Sequence, residues 1–266
     1  MIEIKNINKK YGELVVLDDI NVNIKEGMVT ALIGPNGAGK STLLGVISRL
    51  IEADSGAVYV DEEPHHKIKL NAYSKMLGIL KQTNQIQVNL TVRELVSFGR
   101  WPHSKGFLTK EDEEKIDEAI QFLNLKPIEH KNINHLSGGQ RQRAYIAMVV
   151  AQDTKYVLLD EPLNNLDMKY SVEMMLILQD LVKKLGKTVV IVLHDINIAS
   201  MFSDYMILMK DGRIYIEGKP NDIMVKEVLD TVYDHDFCIA GVNGKKYCIY
   251  YRGENEAYEE LSLINS

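Results

Sequence analysis

Along the first 30 residues apolar side chains alternate with polar ones, at Ile2 and Ile4 and again at Ile20, Val22 and Ile24. A period of two predicts half-buried strands, paired antiparallel. The run Val29-Thr30-Ala31-Leu32-Ile33 does not alternate and reads as a fully buried strand. It leads into a glycine-rich turn, and residues Ser41 to Leu50 are expected to form a helix. Strand, turn, helix is the opening of an α/β core.

The middle of the chain changes character. From about Thr91 to Val150 the pattern is mostly helical, with few β-branched runs. Thr109 fits a helix N-cap with Asp112 three residues on, and Ile116, Ala119, Ile120 and Leu123 mark one apolar face. The acidic stretch Glu111-Asp112-Glu113-Glu114 reads as a solvated face at a favourable helix start. Strands return at Tyr156–Asp160 and Thr188–His194, with a helix from about Lys169 to Leu185 between them. A hairpin then runs from Tyr205–Met209 through Asp211-Gly212 into Arg213–Glu217, Asp-Gly being a strong turn signal. The tail is expected to hold a helix, two strands and a polar end. The layout is a helical insertion, about residues 84–153, between two portions of an α/β core spanning 1–220, with a C-terminal extension over 221–266.

Composition narrows the choices only slightly. Hydrophobic residues make up 45% of the 266 residues, charged ones 26%, and the net charge is −6. That balance is ordinary for a globular protein and argues against a nucleic-acid partner, because no overall cationic footprint is offered to phosphates. Two cysteines, Cys238 and Cys248, are too few for a disulfide scaffold, so reduced thiols in the C-terminal strands are expected. Met1-Ile2-Glu3-Ile4-Lys5 lacks a basic region followed by an apolar stretch, so no secretory signal is expected. The apolar runs Ala144–Ala151 and Thr188–Leu193 fall far short of the ~20 residues a membrane span needs. Any membrane connection is expected to come through another polypeptide.

Chemistry enters with Gly34-Pro35-Asn36-Gly37-Ala38-Gly39-Lys40-Ser41, followed by Thr42, which matches G-x-x-x-x-G-K-[ST]. Glycines let successive backbone N–H groups wrap phosphate oxygens, and the helix start adds its positive end. Lys40 is placed to reach the β- and γ-phosphates and the Ser41 hydroxyl to ligate Mg²⁺. Such a loop alone implies a nucleoside triphosphate and no more. Tyr156-Val157-Leu158-Leu159-Asp160-Glu161 then ends a buried strand in two carboxylates. Asp160 suits Mg²⁺ and Glu161 suits the polarisation of an attacking water. Leu136-Ser137-Gly138-Gly139-Gln140-Arg141-Gln142-Arg143 supplies a second anion-binding helix start, for which one triphosphate has no obvious need.

With these segments in this order, the chain resembles the ABC ATPase family over about residues 1–220. The resemblance implies a P-loop core, a RecA-like α/β sheet with an antiparallel β subdomain, interrupted by a helical subdomain. It implies that Ser137, Gly138, Gly139 and Gln140 meet the ATP held on the P-loop of a second copy, so that two ATP molecules close a homodimer. Tyr11 resembles the aromatic that stacks on adenine, against the plainer alternative of a core tyrosine. Gln82 resembles the loop glutamine that touches Mg²⁺ and water. Leu163-Asn164-Asn165-Leu166-Asp167 resembles the loop that brings Asp167 to the dimer interface, and His194 resembles the switch histidine on the γ-phosphate.

The segment Leu90 to Val96 through Gly99-Arg100-Trp101-Pro102-His103 resembles ATPases of iron-siderophore, haem and vitamin B12 importers, and Glu161 to Met168 looks most like the ferric-siderophore group. Partners implied are polytopic permease subunits and, indirectly, an extracytoplasmic binding protein, which would hold this chain at the cytoplasmic face of the membrane. Import of haem, vitamin B12 or metal ions is the neighbouring reading. A soluble ABC ATPase acting on ribosomes or repair complexes is the distant one, disfavoured by a single cassette with a compact insertion. Histidines outside the motif set, such as His65 and His66, and Met174, Met175, Met201, Met206 and Met209 are expected to be structural.

Overall fold

A computed structural model describes residues 1–81, 89–164 and 166–250. The first portion runs through β1 (Ile2–Tyr11), β2 (Leu14–Ile24), β3 (Val29–Ile33), α1 (Lys40–Ile47), β4 (Ser55–Val60), β5 (Glu63–Pro64), α2 (Leu70–Met76) and β6 (Leu77–Leu80). A helical stretch follows, with α3 (Val92–Ser97), α4 (Trp101–Ser104), α5 (Lys110–Phe122) and α6 (Gly138–Ala151). The core resumes with β7 (Tyr156–Asp160), α7 (Met168–Leu185), β8 (Thr188–Val192), α8 (Ile196–Phe202), β9 (Tyr205–Lys210) and β10 (Arg213–Gly218). The last portion is α9 (Pro220–Ile223), α10 (Lys226–Tyr233), β11 (Cys238–Val242) and β12 (Lys245–Ile249).

Two sheets organise the core. One is antiparallel, in the order β2-β1-β4-β5. The other has the order β10-β9-β3-β8-β7-β6, parallel except for β10 at its edge. Strands β3, β7 and β8 are buried along their whole length, because the central sheet is covered on both faces. Val29, Ala31, Val157, Leu159, Val189 and Ile191 point into one cluster with α6, α7 and the helical stretch. Leu32, Leu158, Val190 and Val192 point into the other, with α1 and the antiparallel sheet. The hairpin β9–β10 turns at Asp211 (φ 47°) and Gly212 (φ 76°), the left-handed pair that the Asp-Gly signal requires.

Helix α1 ends at Ile47, three residues before the expected limit. Arg49 adopts φ 62°, and the N–H groups of Leu50 and Ile51 turn back to the Gly45 carbonyl at 2.9 and 3.0 Å. This left-handed closure satisfies the last carbonyls and stops the helix.

The acidic stretch of α5 departs from the expected solvated face. Thr109 and Asp112 do form a reciprocal capping box, and Ile116, Ala119 and Ile120 are buried. Asp112, however, is buried with them. Its Oδ1 accepts from Arg100 Nε at 2.8 Å, and both side chains are only 4% exposed. Arg100 Nη1 also donates to the Ala151 carbonyl at 2.9 Å, so one guanidinium joins the α3–α4 turn, the start of α5 and the end of α6. Burial would raise the Asp112 carboxyl, but bonds from the Thr109 N–H and Arg100 outweigh it and hold the group down at about 2.

Residues of α10 through β12 pack on the same core. Leu229, Val232, Phe237 and Cys248 join the larger cluster, and the Asn197 amide of α8 grips the Cys248 backbone at both its N–H (2.7 Å) and carbonyl (2.9 Å). Both cysteines are free thiols. Among the described residues no helix is long and apolar enough to cross a membrane.

Candidate ATP site

Strand order explains why distant segments meet. β8 lies between β3 and β7, so the carboxyl ends of three adjacent parallel strands deliver Gly34, Asp160 and His194 to one edge of the sheet. Ligands of open α/β sheets bind at that edge. A cleft there is lined by Val16, residues 36–42 and Glu161.

The P-loop wraps the start of α1. Gly39 is the N-cap, with φ 96° and no side-chain cap, so the first N–H groups of the helix are left for an anion. A side chain could not replace its hydrogen, since a Cβ would stand 2.6 Å from the Val16 carbonyl oxygen. Lys40 is buried and its ammonium folds back on the loop, donating to the carbonyls of Gly34 (2.8 Å) and Pro35 (2.9 Å). Burial lowers its pKa, opposed by the charges of Glu161 and Asp160. The Ser41 hydroxyl donates to Asp160 Oδ1 at 2.8 Å, across 119 positions of sequence. Burial raises the Asp160 pKa, and the Ser41 bond works against that rise.

Glu161 follows Asp160 in a left-handed backbone state (φ 52°), which is costly for a non-glycine residue and turns the chain sharply out of β7. Its side chain is 10% exposed, and its Oε1 lies 2.7 Å from His194 Nε2. His194 itself is 39% exposed and stands just beyond β8, beside Asp195, which caps α8. Asn164 folds back from the same turn and donates to Glu161 Oε2. Residues 34–42, 160, 161 and 194 are therefore gathered at one edge of the sheet. Val16 had not been expected there and carries no motif signal, because it arrives through tertiary placement, whereas Asn164 was expected only as a member of the loop after Glu161.

The remaining candidates among the described residues lie outside the cleft lining. Ser137 caps α6 through a reciprocal box, its Oγ accepting from the Gln140 N–H while Gln140 Oε1 accepts from the Ser137 N–H at 3.2 Å. Gly138 is the first residue of that helix, and Gly139 packs beneath Tyr170, whose ring would meet an added Cβ at 3.0 Å. None of residues 137–140 lines the P-loop cleft. Asp167 caps α7 by accepting from the Tyr170 N–H at 3.0 Å. Tyr11 is 51% exposed with Lys9 Nζ 5.5 Å from its ring centre, so it is not a core tyrosine. Gln82 and Asn165 lie outside the described residues.

Residues 17–164 match the family model for ABC transporters. The chain belongs to the ABC transporter family. As an ABC ATPase subunit it is 50% identical to the petrobactin import ATP-binding protein YclP of Bacillus subtilis (strain 168), over 94% of this chain and 100% of that protein. It is 42% identical to the iron(3+)-hydroxamate import ATP-binding protein FhuC of the same organism, over 85% of each. Among solved structures, the dimeric bacterial ABC transporter cassette MJ0796 superposes with a TM-score of 0.73 at 34% identity, over 83% of this chain and 99% of that one. The α/β core interrupted by helices is the ABC ATPase fold, and the subunit binds and hydrolyses ATP.

Proposed function

We propose that this ABC ATPase powers the import of ferric siderophores, working as a homodimer docked on membrane permease subunits. The observation that carries the catalytic part is the convergence of Lys40, Ser41, Asp160, Glu161 and His194 at the carboxyl ends of β3, β7 and β8. The α1 N-terminus and Lys40 bind the β- and γ-phosphates of ATP, with Asn36 to Thr42 wrapping them and Gly34 and Pro35 releasing the ammonium. Tyr11, exposed at the end of β1, stacks on the adenine. Ser41 and Asp160 present hard oxygen donors close together, which fits Mg²⁺, joined by Gln82. When bound, the metal neutralises charge on the phosphates.

Glu161 accepts a proton from the attacking water as its oxygen bonds to the γ-phosphorus, and the bond to the bridging oxygen breaks, leaving ADP and inorganic phosphate. His194 turns from Glu161 to the γ-phosphate. The Ser137–Gln140 turn, absent from the cleft of its own chain, supplies Ser137, Gly138 and Gly139 to the ATP of the partner copy, with Asp167 at the interface. Residues 1–220 form the nucleotide-binding unit with its inserted helical subdomain at about 84–153, and 221–266 a C-terminal extension. The subunit sits at the cytoplasmic face of the membrane through the permease, which receives cargo from an extracytoplasmic binding protein.

The iron(3+)-hydroxamate and petrobactin import functions named for the two relatives support the cargo class. A strain lacking this chain should lose accumulation of radio-iron supplied as a ferric siderophore, and regain it when the chain is restored. Undiminished iron-chelate uptake alongside loss of a different solute would refute the cargo assignment.

A further inference from the structure

We propose that Asn164 is a positioning residue for hydrolysis, holding the Glu161 carboxylate in place while His194 changes partner. The proposal rests on the reading of Glu161 as the base. Both carboxylate oxygens are engaged in this structure: Oε1 by His194 Nε2 at 2.7 Å, and Oε2 by the Asn164 amide. The two holders differ in kind. His194 comes from another strand and is 39% exposed, whereas Asn164 lies on the same turn as Glu161. That turn is closed by the Asn164 N–H donating to the Glu161 carbonyl at 3.3 Å, and by the Leu166 N–H donating to Leu163 at 3.1 Å.

Entry of a triphosphate changes this balance. The phosphate oxygens offer Lys40 a charged partner in place of the neutral carbonyls it holds here, and offer His194 a second anion beside the Glu161 carboxylate, both bonds being of the charge-assisted class. As His194 turns, Oε1 gives up its bond to the imidazole. Asn164 moves with Glu161, keeps Oε2, and so fixes which oxygen faces the attacking water. Without it, the carboxylate loses one restraint on its terminal torsion, which is intrinsically broad. Misplacement of a reacting group lowers the rate of the chemical step more than it lowers substrate binding.

Steady-state kinetics of the purified full-length chain test this. Asn164→Ala should lower kcat for ATP hydrolysis about tenfold, the loss of one oriented charge-assisted bond, with KM for ATP unchanged. Asn164→Asp preserves the shape and the turn but places a like charge on the base, and should lower kcat further than alanine. In a Glu161→Gln background, Asn164→Ala should add no further loss, since the two residues act as a unit. Thermal melts of each variant separate unfolding from lost positioning. If Asn164→Ala and Asn164→Asp both turn over within twofold of the parent while Glu161→Gln is inactive, the role of Asn164 is wrong and the base assignment stands. If Glu161→Gln turns over normally, the base assignment itself fails and this inference with it. A rise in KM at constant kcat would make Asn164 a binding residue and overturn the proposal.

Discussion

Glu161→Gln should reduce ATP turnover by roughly 10²–10⁴-fold, the usual contribution of a positioned general base, while ATP affinity stays close to that of the parent. The substitution keeps the size of the side chain and its capacity to bond Asn164 and His194, but an amide cannot take a proton from water at neutral pH. Lys40, Ser41 and Asp160, which on the proposed reading would hold the phosphates and the metal, are untouched, so binding should survive. A stopped assay of phosphate release beside equilibrium binding of a fluorescent ATP analogue separates the two effects. Near-normal release would remove Glu161 from its role, and loss of binding would mean that the glutamate holds the loop rather than the water.

Breaking the buried Arg100–Asp112 pair carries the second large effect. Either Arg100→Ala or Asp112→Ala leaves one charge buried without its partner, which costs about 3–5 kcal/mol, on the order of 10 °C in melting temperature for a chain of this size. Arg100→Ala also orphans the Ala151 carbonyl at the end of α6. The double replacement Arg100→Met with Asp112→Leu should be less harmful than either single change, because no unpaired charge remains. Acid should reproduce part of the effect. The Asp112 carboxyl sits below its unfolded value, so its contribution is present above about pH 4 and is lost as the pH falls toward its folded value of about 2. Melting temperatures of the three variants at neutral and acid pH check this. Additive single effects, or a pH-independent melt, would assign the two residues no mutual role.

How much of this was legible in the sequence depends on what each signal encodes. The P-loop, the two carboxylates ending β7 and the Ser137 cap carry their chemistry in local residue types, and the strands around them announce themselves as unbroken apolar runs. Their convergence does not. In sequence the order is β3, β7, β8, whereas in space β8 stands in the middle, and no periodicity reports strand order. The buried Asp112 was readable in principle. It precedes Ile116 by four residues and so shares the face of Ile116 and Ile120, but an acidic neighbourhood masked it among Glu111, Glu113 and Glu114. Arg100, its partner, lies twelve residues away across two turns, and nothing local pairs them. Asn164 was visible as a member of a loop, yet its bond to Glu161 depends on the left-handed backbone at Glu161, which residue type does not foretell.

The proposed reaction centre is divided between two copies, with a P-loop cleft in each chain and the Ser137–Gln140 turn outside it. Sedimentation velocity of Glu161→Gln, with and without Mg-ATP over a wide span of protein concentration, tests that division most directly. A monomer without nucleotide that becomes a dimer with Mg-ATP, and stays a monomer when Ser137→Arg is added, is the predicted result. A chain that remains monomeric with ATP bound, in a protein whose wild type hydrolyses ATP at full rate at the lowest concentrations, would contradict it.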